Sequence, residues 1–157
     1  MKKGEIYEGI IEKVDFPNKG YVCIDDQKVL IKNGIPGQKV RFMIQKKRSG
    51  RAQGRILEVL EKSPFETRDA VCNNFPACGG CMYQTMSYEN QLVMKETQIR
   101  ELLEEALVRG GQVDKNGQAD FDWEGIHGSP IEFGYRNKME FSFGDEYKDG
   151  PLSLGLH

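Results

Sequence analysis

Residues 4–61 alternate short apolar runs with turn residues, and this punctuation limits the fold more than any other feature of the chain. The runs are EIYEGIIEKV, GYVCI, KVLIKN, QKVRFMIQK and RILEVLE. In the fourth, Val40, Phe42 and Ile44 alternate with polar neighbours, the period of a strand with one buried face. Pro17-Asn18, Asn33-Gly34 and Pro36-Gly37 separate the runs, and these residue types adopt the dihedrals that tight turns need. Five strands in this span leave no length for crossover helices. A small antiparallel barrel of OB type pairs such strands with little open edge. Residues 1–61 are therefore expected to form a five-stranded OB-like barrel, with Cys23 in GYVCI as a small core residue.

The charge is unevenly distributed. Residues 1–62 carry 14 Lys and Arg against 8 Asp and Glu, a net of +6, whereas residues 63–157 carry 8 against 16, a net of −8. This asymmetry points to two units, the first facing a polyanion. Between the fourth and fifth runs lies QKKRSGRAQGR, with Lys46, Lys47, Arg48, Arg51 and Arg55 and no acid. Two glycines and Ser49 give its backbone freedom to follow an irregular surface. Such cations neutralise phosphates with salt-dependent, sequence-blind affinity, so this hairpin is a candidate RNA contact.

Residues 62–71, KSPFETRDAV, read as a linker into the second unit, residues 72–157. The clearest helix runs from about Tyr88 to Arg109, with Ser87 as N-cap, Glu89 in the first turn and Gly110-Gly111 at its end. Leu92, Ile99, Leu102, Leu103, Ala106 and Leu107 form one apolar stripe, expected to pack in a core. Residues 110–124 are acidic and glycine-rich and read as a loop. In YRNKMEFSFG, Met139, Phe141 and Phe143 alternate as a half-buried strand, and Arg136 and Lys138 share its polar face as further RNA candidates. Leu152, Leu154 and Leu156 begin another alternation that stops at His157, as in a truncated chain. The fold class is thus mainly β with one long helix: the barrel, then an α+β unit. No apolar run approaches the length of a membrane span, and the N-terminus lacks the apolar core of a secretory signal, so the expected location is cytoplasmic.

Three of the four cysteines fall in CNNFPACGGCMYQ, spaced C-x5-C-x2-C at Cys72, Cys78 and Cys81. Thiolates are soft ligands suited to zinc and iron–sulfur groups. Structural zinc sites typically use two close cysteine pairs. One close pair with a third cysteine on the same winding loop favours a cluster completed by a remote ligand. Gly79-Gly80 would let backbone N–H groups approach sulfur. Candidates for the fourth ligand are Cys23, His127 and a cysteine beyond His157.

Cys72 to Gln84, read as C-x5-C-G-G-C-x2-Q, followed by YRNKMEF at Tyr135–Phe141, resembles the bacterial RNA (uracil-5-)-methyltransferases, most closely those modifying 23S rRNA. The first 61 residues resemble their TRAM domain, an RNA-binding barrel. The resemblance covers the whole chain, and its strength lies in the order of barrel, cysteine motif and YRNK. It implies a [4Fe–4S] cluster with Cys72, Cys78 and Cys81 as three of four ligands and the fourth outside this chain. It further implies that the S-adenosylmethionine site, the nucleophilic cysteine and the general base lie in an absent catalytic domain, so this chain alone would be inactive. The implied partner is RNA, with 23S rRNA preferred; no membrane or protein partner is expected.

An alternative reading is a stand-alone RNA-binding module with a structural zinc or iron–sulfur site. The methylthiotransferases also carry TRAM domains, but their radical chemistry needs C-x3-C-x2-C, which the spacing here does not match.

Overall fold

The computed structural model describes residues 1–48, 50–145 and 149–156, and the side chain of Arg48 is also outside that description, as are Ser49 and His157 of the sequence reading. The N-terminal part is a curled six-stranded sheet: β1 (Ile6–Ile10), β2 (Lys13–Asp15), β3 (Lys19–Ile24), β4 (Gln27–Lys32), β5 (Lys39–Arg48) and β6 (Arg51–Glu61). Their spatial order is β1-β5-β6-β4-β3-β2, antiparallel except for the β4–β6 pair. This is an OB-like β domain, with six strands where the sequence pattern gave five.

The sixth strand arises because the first run changes partner midway. Up to Ile10 it pairs with β5, and from Lys13 it pairs with β3. At the break, Ile11 leaves the ladder: its N–H donates to the Gln38 carbonyl at 2.9 Å and its carbonyl accepts from Gly37 N–H at 2.8 Å. The two edge strands are thereby consecutive in sequence, which forces the sheet to curl. Inside the curl lie Ile11, Val14, Val22, Val29, Ile31, Val40, Phe42, Ile44 and Ala52. The alternation of Val40, Phe42 and Ile44 is realised in full, all three side chains being completely covered.

The basic segment is strand almost to its tip, not an irregular loop. Lys46 pairs with Gln53, Lys47 with Ala52 and Arg48 with Arg51. Gly54 belongs to β6, and its reason is packing: a Cβ there would lie 2.7 Å from Phe42 Cδ2 and 2.8 Å from Ile31 Cδ1. Cys23 also departs from expectation. It sits on the outward parity of β3 and is exposed, while its neighbour Val22 fills the core position.

Residues 62–71 are held against the barrel and the cysteine loop by Glu66. Its carboxylate accepts from Ser63 N–H at 2.7 Å, Gln38 Nε2 at 2.9 Å and Thr85 Oγ1 at 2.8 Å. Helix α1 spans Tyr88–Arg109. Ser87 Oγ accepts from Asn90 N–H at 3.2 Å, as an N-cap does. At the other end Gln112 N–H reaches the Leu107 carbonyl and Gly111 N–H reaches that of Val108, the paired bonds of a Schellman stop. The apolar stripe is not core. Leu102 and Leu103 are exposed, and the buried residue of the helix is Gln98, whose Nε2 donates to the Val14 carbonyl at 2.6 Å. With Lys13 paired to Glu101 at 2.7 Å, this hydrogen bond ties the helix to β2 by polar contacts.

Residues 110–124 are loop apart from a bridge between Val113 and Ala119. The YRNK segment is irregular through Phe141; the strand is β7 (Ser142–Asp145), paired with β8 (Leu152–Gly155) in a separate ribbon. Its apolar residues are not half-buried: Phe143 is 73% exposed and Leu152 75%. Among the described residues no other strand or helix covers this ribbon, so alternation alone does not bury it.

Candidate RNA interface and cysteine loop

The hairpin cations divide between two faces. Residues directly opposite in an antiparallel ladder project to the same side. Lys46 opposite Gln53 therefore shares the outward side with Arg51 and Arg55, whose intervening neighbours Ala52 and Gly54 are buried. Lys47 lies opposite the inward-facing Ala52, and its Nζ donates to the Met1 carbonyl at 3.0 Å. Among the described residues, Lys46, Arg51 and Arg55 make no ion pair, so their charge is available to a phosphate. Arg136 and Lys138 are in the second part, in the irregular segment before β7. Arg136 lies 6.0 Å from the Tyr135 ring centroid, and Lys138 is paired with Glu140 at 2.7 Å.

The cysteine loop is closed by its own last residue. Gln84 is buried, and its Oε1 accepts from Cys72 N–H at 3.0 Å, tying the two ends of the segment together. Arg68 reinforces the closure through its Nε to the Gln84 carbonyl at 3.0 Å. Within the loop, Phe75 N–H donates to the Cys72 carbonyl and Cys78 N–H to that of Asn74, winding it into turns. The sequence reading singled out Gln84 without a role; a buried amide that reaches back over twelve residues supplies one.

Two anchors hold this loop to the rest of the molecule. Tyr83 and Met86 pack with Ile35 of the barrel. Tyr83 Oη donates to Asn18 Oδ1 at 2.6 Å, and burial pushes its phenol up to about 12. On the other side, Leu156 N–H donates to the Cys78 carbonyl at 3.0 Å. That approach needs the glycines: a Cβ at Gly79 would lie 2.7 Å from the Leu156 carbonyl oxygen, and one at Gly80 2.5 Å from Leu156 Cδ1. Gly79-Gly80 thus admit the end of β8 to the loop.

Cys72 and Cys81 are exposed and Cys78 is half-buried; all three are free thiols. Among the described residues, no three His, Cys, Asp or Glu side chains are arranged to hold a metal ion. Cys23, exposed on the outward parity of β3, and His127, in an exposed loop, form no metal-holding group with the three thiols among the described residues. The donor set nevertheless fits a thiolate-bound group in chemistry, being three soft ligands on one clasped loop.

Comparison with known proteins gives this arrangement a context. The chain aligns over all of its 157 residues with proteins named "Uncharacterized RNA methyltransferase", at 45% identity in Clostridium tetani, 43% in Caldanaerobacter subterraneus subsp. tengcongensis and 38% in Clostridium acetobutylicum. It spans 32% of the length of each of these relatives. No family model matches the chain. The chain is therefore homologous, along its whole length, to about a third of an RNA methyltransferase. No helix among the described residues is long and apolar enough to cross a membrane.

Proposed function

We propose that this chain is the RNA-recognition part of a cytoplasmic, S-adenosylmethionine-dependent RNA (uracil-5-)-methyltransferase that makes 5-methyluridine in 23S rRNA. The observation that carries the reading is the full-length similarity to proteins named RNA methyltransferases, at up to 45% identity. The outward cations Lys46, Arg51 and Arg55 support it, because unpaired charge on a sheet face is what phosphate binding requires. In this reading residues 1–61 act as the TRAM-type barrel. Modification of a ring carbon needs the target uridine taken out of its stack, which a gripping module assists by holding the flanking strand.

Cys72, Cys78 and Cys81 would hold a [4Fe–4S] cluster, with the fourth ligand outside this chain. The docking of Leu156 on Cys78 supports this, since it brings the backbone following β8 to the loop. When bound, the cluster would contribute cross-linking and not electrons, because methyl transfer to a carbanion-like carbon moves no net electrons. The chain's own residues do the rest: Gln84 clasps the loop and Gly79-Gly80 leave room for the incoming backbone.

The test uses the full-length protein, labelled S-adenosylmethionine and transcribed 23S rRNA, with digestion to nucleosides and mass spectrometry. Label in 5-methyluridine is expected. Label in any other nucleoside overturns the assignment. Iron with acid-labile sulfide in anaerobically purified protein is expected for the cluster, and stoichiometric zinc without iron overturns that part.

A further inference from the structure

A cavity of about 450 Å³ lies where the barrel, the cysteine loop and helix α1 meet, within the size range of small-molecule sites. The barrel contributes the β2–β3 turn, with Phe16 and Asn18. The cysteine loop contributes Tyr83, the helix Lys95 and Gln98, and the loop after the helix Trp123. None of the hairpin cations Lys46, Arg51 and Arg55 lines it. The space exists only because the two parts of the chain are joined; neither part encloses it alone.

Its walls are fixed by their own hydrogen bonds. Asn18 is buried; its Nδ2 donates to Asn33 Oδ1 at 3.0 Å and its Oδ1 accepts from Tyr83 Oη. The Trp123 ring is held by its Nε1, which donates to the Glu96 carboxylate, and by an edge-to-face contact with Phe121 at 6.3 Å between centroids. Two polar functions are left over. Gln98 is buried, its Nε2 is taken by the Val14 carbonyl, and its Oε1 accepts no hydrogen bond among the described residues. Lys95 makes no ion pair among the described residues. Phe16 and Lys95 are both exposed, so they mark the mouth. Three aromatic rings from three separate segments thus line a space with one free acceptor inside and one cation at the rim. A nucleotide is the complement of that pattern: a flat ring that stacks on aromatic side chains, an N–H donor on its edge, and a phosphate outside. A buried acceptor without a donor costs about 1–3 kcal/mol, so a ligand that supplies the donor recovers that cost.

We propose that this cavity receives one base extruded from an RNA strand, with Phe16, Tyr83 and Trp123 as ring contacts, Gln98 Oε1 as the acceptor and Lys95 on the phosphate. This rests on the RNA-binding reading above and adds a subsite to it. That reading puts the methyl donor outside this chain, so the base held here is not the one modified; it fixes the register of the strand. Tyr83 lies two residues after Cys81, so the winding of the cysteine loop sets one wall of the site.

The test follows the emission of Trp123, the single tryptophan of the 157-residue chain, as labelled oligouridylate and oligoadenylate are titrated and their anisotropy is read in parallel. Saturable quenching that tracks the anisotropy of at least one of them is expected. Phe16→Ala should weaken binding of that oligonucleotide roughly 5- to 100-fold with its salt dependence unchanged. Lys95→Ala should make the log–log salt slope shallower by about 0.7. Both side chains are exposed, and a melting curve for each variant confirms folding. UMP and AMP should quench only at far higher concentration; quenching by either at the oligonucleotide's concentration assigns the cavity to a free nucleotide and overturns the strand-bound base. Anisotropy that rises with Trp123 emission unchanged for both oligonucleotides, or wild-type affinity in Phe16→Ala, overturns the cavity inference and leaves the RNA reading standing. No rise in anisotropy with the wild type overturns both.

Discussion

The two ends of the curled sheet treat charge in opposite ways. At the β1-β5-β6 end, Arg41 sits in register between Glu8 and Glu58, bonded to the first at 2.8 Å and the second at 2.5 Å. Lys39 is opposite Glu61 and paired with it at 2.7 Å. These partners hold Lys39 and Arg41 above their usual pKa ranges, Glu61 being the main cause for Lys39 and Glu8 for Arg41. At the β3-β4-β6 end, Lys19 faces Lys32 and the acids are elsewhere engaged or off the strands. One barrel thus has a self-neutralised end and an end whose cations form no ion pair among the described residues. Net charge for the whole chain, −2, hides both.

The largest expected effect comes from inverting the unpaired end. Lys46→Glu, Arg51→Glu and Arg55→Glu together should reduce affinity for an RNA oligonucleotide on the order of 100-fold near physiological salt. Titration by anisotropy checks this, and a change under threefold would break the distinction between the ends. Next in size is Gly54→Ala, which places a methyl against Phe42 and Ile31 between the two ends. It should cost about 1–3 kcal/mol in urea denaturation while leaving RNA affinity of the folded fraction intact. Arg41→Ala should change stability by no more than about 1 kcal/mol, because its ion pairs are solvent-exposed, and leave the RNA salt slope unaltered. The smallest effect at neutral pH is at the seam. Tyr83 keeps its proton when folded up to about pH 12, so the stability linked to its burial is present below pH 10 and lost as pH rises from 10 towards 12. Tyr83→Phe should remove that alkaline component from the melting profile.

The features legible in the sequence were those written in local chemistry. Ser87 and Gly110-Gly111 bound the helix because capping depends on residues a few positions apart. Val40, Phe42 and Ile44 alternate because their strand has one wet face. What escaped depends on contacts distant in sequence. Ile11 leaves one ladder for another because Gln38 and Gly37 receive it, and no local signal marks that exchange. Gly54 looks like a loop residue until Phe42 and Ile31 are seen behind it. The helix stripe reads as core and the alternation of Met139, Phe141 and Phe143 as a half-buried strand, yet amphipathic pattern shows only which face is apolar. The cysteine motif was visible as chemistry. Its clasp was not, since the Gln84 amide reaches Cys72 only once the loop has wound through its turns.

The most direct measurement is the salt dependence of RNA binding for two matched variants of the same barrel. In one, Lys39 and Arg41 are replaced by Ala; in the other, Arg51 and Arg55. The account predicts a wild-type slope for the first and a slope shallower by about 1.4 for the second. Equal slopes in the two variants would contradict it.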